Sequence, residues 1–515
     1  MSEITKNNKE INHPELNELP VALQDILILA KDNGDGLHVV EEKIFDKLLK
    51  IGHQTLEAYL ALQGNGDRGE TLLLDNGKEV KRLDEEHSRE YLSIFGRFSI
   101  SRVVYGTREG QAIQFIPLDV QLQLPVANFS YLLQNWNQEL VQECPYNQVA
   151  QALKKILKLP QSTNSLERGS RQMGDSVHEY LESIPTPPPE EEGKIFVIQS
   201  DHKGIAMRKE EQPGLTESSA AKEEPLRKGE KKMALVGAAY SVDDHIRTPE
   251  QMCRILMGKE QPEGEELPSR PKPCHKHVRA ILQRDEAGTT QPQTEEGYQW
   301  LADEVMTRNP DGLKPTILLC DGQESLWTAG LDFLPPEKFD ITEIIDIMHV
   351  NSYLWAAIHL FYPINSNDAR KEMEMQLLRL LSGNLEQVIN SLKWQATYRK
   401  LDDSKREKLD KIIAYFLNNK ERMHYDDYLA KGYPIASGVI EGACRSVVKD
   451  RMERSGMRWT MKGAHAVLSL RSVHSSQLWD GFIPFFVARE QAARFPHRPM
   501  EAANDENFSS ARLAG

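Results

Sequence analysis

Two short apolar runs, Phe196–Val197–Ile198 and Ile317–Leu318–Leu319–Cys320, give out close to an aspartate, at Asp201 and Asp321. Runs of this length, rich in branched residues, read as buried strands. In an open α/β sheet ligands bind where strands end, so both acids stand at positions suited to chemistry. A third acid, Glu441, lies near the start of a helix that opens after Ser437–Gly438. Each acid also has an ordinary reading. Asp321–Gly322 makes a turn, Asp201 is a loop acid, and Glu441 is half of an i,i+4 pair with Arg445. Glu441 escapes one of these explanations: a capping box led by Ser437 would place its acid at Ile440, one residue earlier.

Three acids on two strand ends and one helix suit two-metal phosphoryl transfer. Hard cations such as Mg²⁺ prefer carboxylate oxygen, and two of them about 3.5–4 Å apart serve the attacking and leaving oxygens. Three clustered carboxylates repel one another unless cations are present. The segment after Glu441 is basic: between Ser437 and Ser475, Arg445, Lys449, Arg451, Arg454, Arg458, Lys462 and Arg471 face only Glu441, Asp450 and Glu453. A basic face beside an acidic pocket is what a phosphodiester backbone requires. A solvated helix laced with salt bridges has the same composition.

Overall charge points the other way. The chain has 63 basic and 77 acidic residues among 515, a net charge of −14. Phosphate binding needs Lys and Arg, so the total alone argues against nucleic acid. Much of the surplus acid sits in two wet stretches, "EEQPGLTESSAAKEEPLRKGEKK" and "GKEQPEGEELPSRPKPC", which read as unstructured loops. No apolar run approaches the eighteen or so residues of a membrane span, and "MSEITKNNKE" lacks a secretory apolar core. The five cysteines are scattered without CxxC spacing, which disfavours disulfides and cysteine-rich zinc sites and favours a reducing, cytoplasmic setting. "PCHKH", with Cys274, His275 and His277, reads as a loop rather than a zinc site.

Along the chain, residues 1–90 read as helix and loop, with helical patterns in "LPVALQDILILA" and "IFDKLLKIGHQTLEAYLALQ". "FGRFSISRVVYG" and "QAIQFIPLD", separated by "TREG", predict an antiparallel hairpin. Residues 126–184 read as all helical. There Val149, Leu153, Ile156 and Leu157 form one apolar face, and Asn164 with Glu167 suggests a capping box. Leu166, Met173 and Val177 turn inward in the next segment, leaving Arg168 and Arg171 for another face; a DNA-reading helix-turn-helix and a plain helical bundle both fit. "IPTPPPEEEG" reads as a stiff acidic linker.

Three further pieces complete a pattern: "VIQSDHKGIAMR", "LCDGQESLW" with "IDIMHVNSYLW", and "YPIASGVIEGACRSVVKDRMERSGMRWTMKGAHAVLSLRS". In their order and spacing they resemble the insertion-sequence transposases of the ISKra type, relatives of the Mutator-like superfamily of DDE transposases. The resemblance extends from near residue 95 to about residue 495. It implies an α/β, RNase H-like catalytic core over 194–480 with an all-helical insertion at about 362–432. Before the core it implies an α+β amino-terminal region (1–125), a possible helix-turn-helix segment (126–185) and a linker (186–193); a carboxy-terminal helix and tail (481–515) follow.

Carried over by motif, the resemblance implies Asp201, Asp321 and Glu441 as catalytic metal ligands, binding two Mg²⁺ or Mn²⁺ ions. Asp346 and His349 match its (C/D)xxH motif, with an auxiliary role in orienting DNA or active-site groups. Arg445, Lys449, Arg451, Arg454 and Arg458, with Arg168 and Arg171, would hold DNA, and Trp459 would either stack on an exposed base or fill the core. The implied reaction is hydrolysis at the terminal inverted repeats followed by attack of the freed 3′-OH on target DNA. A homo-oligomer on DNA and no membrane association are expected. The first motif departs from the family's Asp-Gly-Lys-Gly, because the bulkier His202 follows Asp201. The alternatives are a metal-dependent nuclease without strand transfer and a decayed or domesticated DNA-binding protein.

Overall fold

The computed structural model describes residues 36–107, 113–208, 231–262, 269–286, 289–291, 293–334, 339–454, 456–494 and 496–497. The chain divides into two compact units, Met1–Gly169 with Asp480–Gly515, and Ser170–Trp479. The pattern at "LPVALQDILILA", most of the first acidic loop, residues 263–268 of the second and the tail from residue 498 lie outside the described residues.

In the first unit, helix α1 (Leu37–Leu62) precedes β1 (Thr71–Leu73), β2 (Glu79–Arg82), β3 (His87–Ser93), β4 (Gly96–Arg102) and β5 (Tyr105–Gly106). Residues 71–93 are therefore largely extended, contrary to the helix-and-loop reading. The hairpin also has a different partner. β4 pairs with β3 over its whole length, while across "TREG" the described pairing is a single bridge between Tyr105 and Phe115. Pairing β4 with the preceding strand buries Phe98 and Ile100 through a tight turn at Ile94–Phe95, closed by Gly96 at φ 127°. Asp119, fully buried, gathers Arg102 at 2.7 Å and Arg494.

Helix α2 (Pro117–Gln121) leads to α3 (Tyr131–Glu143), α4 (Tyr146–Leu157) and α5 (Thr163–Gly174). Val141, Val149, Leu153 and Leu166 form their core. Ile156 is 55 % exposed, so it leaves the expected apolar face. The cap of α5 is Ser162, whose hydroxyl accepts from Ser165 N at 3.1 Å, and not Asn164.

The second unit starts inside α5 and continues through α6 (Val177–Ser183). Its sheet uses β6 (Ile195–Ala206), β7 (Lys231–Val242), β8 (Cys274–Leu282), and later β11 (Thr316–Cys320) and β12 (Ile341–Ile345). Between them lie α7 (Pro249–Leu256), a ribbon of β9 (Arg284–Glu286) and β10 (Thr289–Gln291), α8 (Gln293–Arg308) and α9 (Glu324–Phe333). The sheet order is β12-β11-β6-β7-β8; β12, β11 and β6 run parallel, and β7 and β8 continue antiparallel. This is a mixed α/β unit. "PCHKH" begins β8 instead of a loop, because its backbone pairs with β7; His277 Nδ1 contacts Glu304 at 2.9 Å.

Helix α8 lies close on the sheet: a Cβ at Gly297 would stand 2.1 Å from Leu235 Cδ2. The expected linker ends in firm attachments. Glu192 receives Arg308 Nε at 2.7 Å, and Gly193 N donates to Ser241 Oγ at 2.7 Å. After β12 come α10 (Ile347–Ile358), then the helical layer α11 (Asn367–Leu381), α12 (Leu385–Tyr398), α13 (Asp403–Asn418) and α14 (Tyr425–Ala430). Their apolar faces share one core with β6, β11 and β12. Helix α15 (Gly438–Ala443) follows, then a wide π-type turn over Cys444–Lys449, and α16 (Met461–Ser475). The final helix, α17 (Trp479–Arg494), returns the chain to the first unit. Helix α16 covers the outer edge of β8: Ser472 Oγ and Ser476 Oγ accept from Ala280 N and Val278 N at 3.1 and 2.8 Å. An edge strand left open would offer those N–H groups to another chain.

Candidate active site

The parallel strands align the acids. Leu319 pairs with Gln199, and Cys320 with Ile345. Two residues further along from the first pair stand Asp321 and Asp201; one residue beyond the second stand Asp321 and Asp346. Three neighbouring strands, spaced about 4.8 Å apart, thus present an aspartate at one level. β6 does not run out at Asp201, as expected, but continues to Ala206 against β7. What ends there is the parallel pairing, since β11 stops at Cys320. Asp321 also makes the anticipated turn: its Oδ1 accepts from Gln323 N at 3.0 Å, with Gly322 at φ 100°.

Glu441 comes from α15, which is fixed to the same strand. Ile440 N donates to Gln199 Oε1 at 3.0 Å, and Gln199 is fully buried. Three residues on, Cys444 Sγ donates to Asp201 Oδ2 at 3.3 Å. The π-type turn begins at that cysteine; such turns widen a helix locally and recur at functional sites. Arg445 pairs with Asp450 at 3.6 Å, so the described ion pair of this arginine is not the one with Glu441.

The acids also meet electrostatically. Lys203, two residues along β6 and hence on the same face as Asp201, places its Nζ 2.9 Å from Asp201 Oδ2. Burial works against the Lys203 charge, but the hydrogen bond and charge of Asp201, with the charge of Asp321, raise its pKa above the usual lysine range. Burial, and then the carboxylates of Asp201 and Glu441, push the Cys444 thiol well up. Tyr415 donates to the carbonyl of Asp321 at 3.2 Å, and burial, with Asp321 and Asp346 nearby, raises its phenol. His202 takes the opposite face of β6, its ring nitrogens 3.3 Å from Gln323 Oε1 and from Thr294 Oγ1.

Asp346 is fully buried and caps α10: Oδ1 accepts from Met348 N at 2.9 Å, and Oδ2 accepts from Ser437 Oγ at 2.5 Å. One ligand atom from each of Asp346, His349 and Glu441 lies within 4.8 Å of the other two.

The basic segment sorts by burial. Arg445, Lys449, Arg454, Arg458 and Lys462 are exposed, as is Arg168 in the first unit; Arg171 is half-buried. Arg451 and Trp459 are corrections to the expected DNA face. Arg451 is 0 % exposed and stacks 4.8 Å from the Trp459 ring, and the indole donates to Met452 O at 3.1 Å. Trp459 is core because its backbone pairs with the end of β6, its N–H donating to Ala206 O at 3.1 Å, and Arg451 is buried against its ring.

Asp201, Asp321 and Glu441 offer only hard carboxylate oxygen, and Lys203 is the counter-charge paired with Asp201; among the described residues the structure brings Glu441 to ligand spacing with Asp346 and His349 rather than with Asp201 and Asp321. A carboxylate donor set fits Mg²⁺ or Mn²⁺. Sequence reasoning passed over Gln199, Lys203, Ser437 and Cys444 as positioning residues. For Lys203 a signal existed, the period of two along a strand; for the others only the fold supplies the partner. Comparison with protein-family models finds no match, and no curated protein matches the chain. Among the described residues no helix is long and apolar enough to cross a membrane.

Proposed function

We propose that this protein is a DNA transposase with an RNase H-like core, cleaving phosphodiesters at element ends and joining the freed 3′-OH to target DNA. The observation that carries the reading is the shared level of Asp201 and Asp321 on adjacent parallel strands, with the Glu441 helix tied to Gln199 of the same strand. The mixed sheet, interrupted before Glu441 by a helical layer, supports the family resemblance. Held by Asp201, Asp321 and Glu441, divalent cations would activate the attacking oxygen and stabilise the leaving one.

The chain's own groups do the rest. Lys203, paired with Asp201, offsets part of the carboxylate charge. The exposed Arg445, Lys449, Arg454 and Arg458 grip backbone phosphates and set the register of the duplex. Hydrolysis breaks one P–O bond and leaves a 3′-OH; strand transfer breaks a target P–O bond and forms a new one to that hydroxyl.

The test is incubation with a plasmid carrying the element ends and a target plasmid, in Mg²⁺ or Mn²⁺, followed by junction sequencing. Wild-type protein yields joined junctions and Asp201→Asn yields none. Cut ends without junctions indicate a nuclease, and equal activity of the two proteins removes Asp201 from the reaction.

A further inference from the structure

We propose that Asp346, His349 and Glu441 form a second cation site, for a single imidazole-accepting ion of the Zn²⁺ class. This goes beyond the function proposed above: it uses neither Asp201 nor Asp321 and needs no DNA.

Three features on the page lead there. The ligand atoms lie within 4.8 Å of one another. Ligands of a tetrahedral zinc shell stand about 3.4 Å apart, so closure requires a contraction of at most about 1.4 Å. Glu441 is exposed on α15, and a rotamer change of its side chain supplies that movement.

The donor set is also mixed. Asp346 and His349 occupy positions i and i+3 of one helical start, a spacing that turns both to the same side. Imidazole suits Zn²⁺, Cu²⁺ or Ni²⁺, whereas Mg²⁺ selects oxygen, so this trio and the carboxylate trio prefer different ions.

The third feature is support behind the ligands. Asp346 is held by Ser437 Oγ, Ser437 N and Met348 N, and it retains a lone pair on Oδ2. Ser437 is itself the residue from which α15 begins, so one contact orients Asp346 and places Glu441. Partners of this kind fix ligand orientation in metal sites.

Glu441 belongs to both trios. Its carboxylate already stands with Asp346 and His349, so an ion held there keeps it from one held by Asp201 and Asp321, and filling the second site opposes filling the first.

The experiment is calorimetric titration of the full chain with ZnSO₄, without DNA, repeated with His349→Ala, Glu441→Gln and the double variant Asp201→Asn/Asp321→Asn. Circular dichroism of each protein reports folding, and Glu441→Gln, at an exposed position, guards against misfolding of His349→Ala. The expected result is one tight equivalent in wild type, an affinity within about threefold in the double variant, and a loss of at least roughly tenfold in His349→Ala and Glu441→Gln. Absence of a tight equivalent overturns the proposal. So does retention of that equivalent in folded His349→Ala or Glu441→Gln, or its loss in the double variant.

Discussion

The backbone N–H of Ile440 donates to the side-chain carbonyl of Gln199 at 3.0 Å, inside a core from which water is excluded. This one bond ties the helix of the third acid to the strand of the first.

Its removal gives the first prediction. Gln199→Leu keeps the volume but strands the Ile440 N–H and the hydroxyl of Tyr240, which Gln199 Nε2 reaches at 3.2 Å. An unsatisfied buried group costs about 1–3 kcal/mol. Urea denaturation should show a loss of that size, and cleavage should fall further than stability does, because Glu441 loses its register.

Under the proposed function, Lys203 would compete with cations for the Asp201 carboxylate it pairs with. In Lys203→Met the carboxylates lose their internal counter-charge, so the Mg²⁺ concentration giving half-maximal cleavage should fall several-fold. A Mg²⁺ titration at saturating DNA checks this; an unchanged midpoint would sink the idea.

Burial separates two arginines of similar sequence context. Arg451→Ala empties a core position and removes a guanidinium stacked on Trp459, at a cost of about 2–5 kcal/mol. Arg458→Ala, at an exposed site, should leave stability within about 0.5 kcal/mol. It should instead weaken DNA binding at low salt and flatten the salt dependence by about one ion, readable by fluorescence anisotropy.

The cluster of Glu192, Arg308, Glu304 and His277 sets an acid limit on the second unit. Burial alone would raise both glutamates. Hydrogen bonds from Arg308 and Ser241 to Glu192, and from His277 and Arg308 to Glu304, outweigh it and hold both below their ordinary 4.5. A depressed folded value means the stabilisation is complete above 4.5 and lost as pH falls through the folded values. Stability should therefore drop on acidification below that point. Arg308→Met takes the guanidinium from both acids, leaving Glu192, among the described residues, only Ser241 and Glu304 only His277 and Trp300 as hydrogen-bond partners, and should cost about 3–5 kcal/mol at neutral pH. It should also make the remaining stability less sensitive to acid, as a pH series of urea curves would show.

Much of this organisation was legible along the chain. The apolar runs before Asp201 and Asp321 declared strands because only an element covered on both faces tolerates such runs. The helices of 126–184 declared themselves by period. Local patterns failed where a distant partner decides. Strand β4 chose β3, which alternates too weakly to advertise itself, and "PCHKH" became extended because β7 offered it hydrogen bonds.

The amino-acid order alone sets which residues carry charge, where the long apolar runs and helical periods fall, and in what order the acids follow one another. These are local properties, written in side-chain chemistry and spacing. Tertiary folding alone brought Asp201, Asp321 and Asp346 to one level and made Arg451 core while Arg458 faces water. The shared level depends on strand register, set by pairing between segments more than a hundred residues apart in the chain, and the burial of Arg451 depends on Trp459 packing at the end of β6.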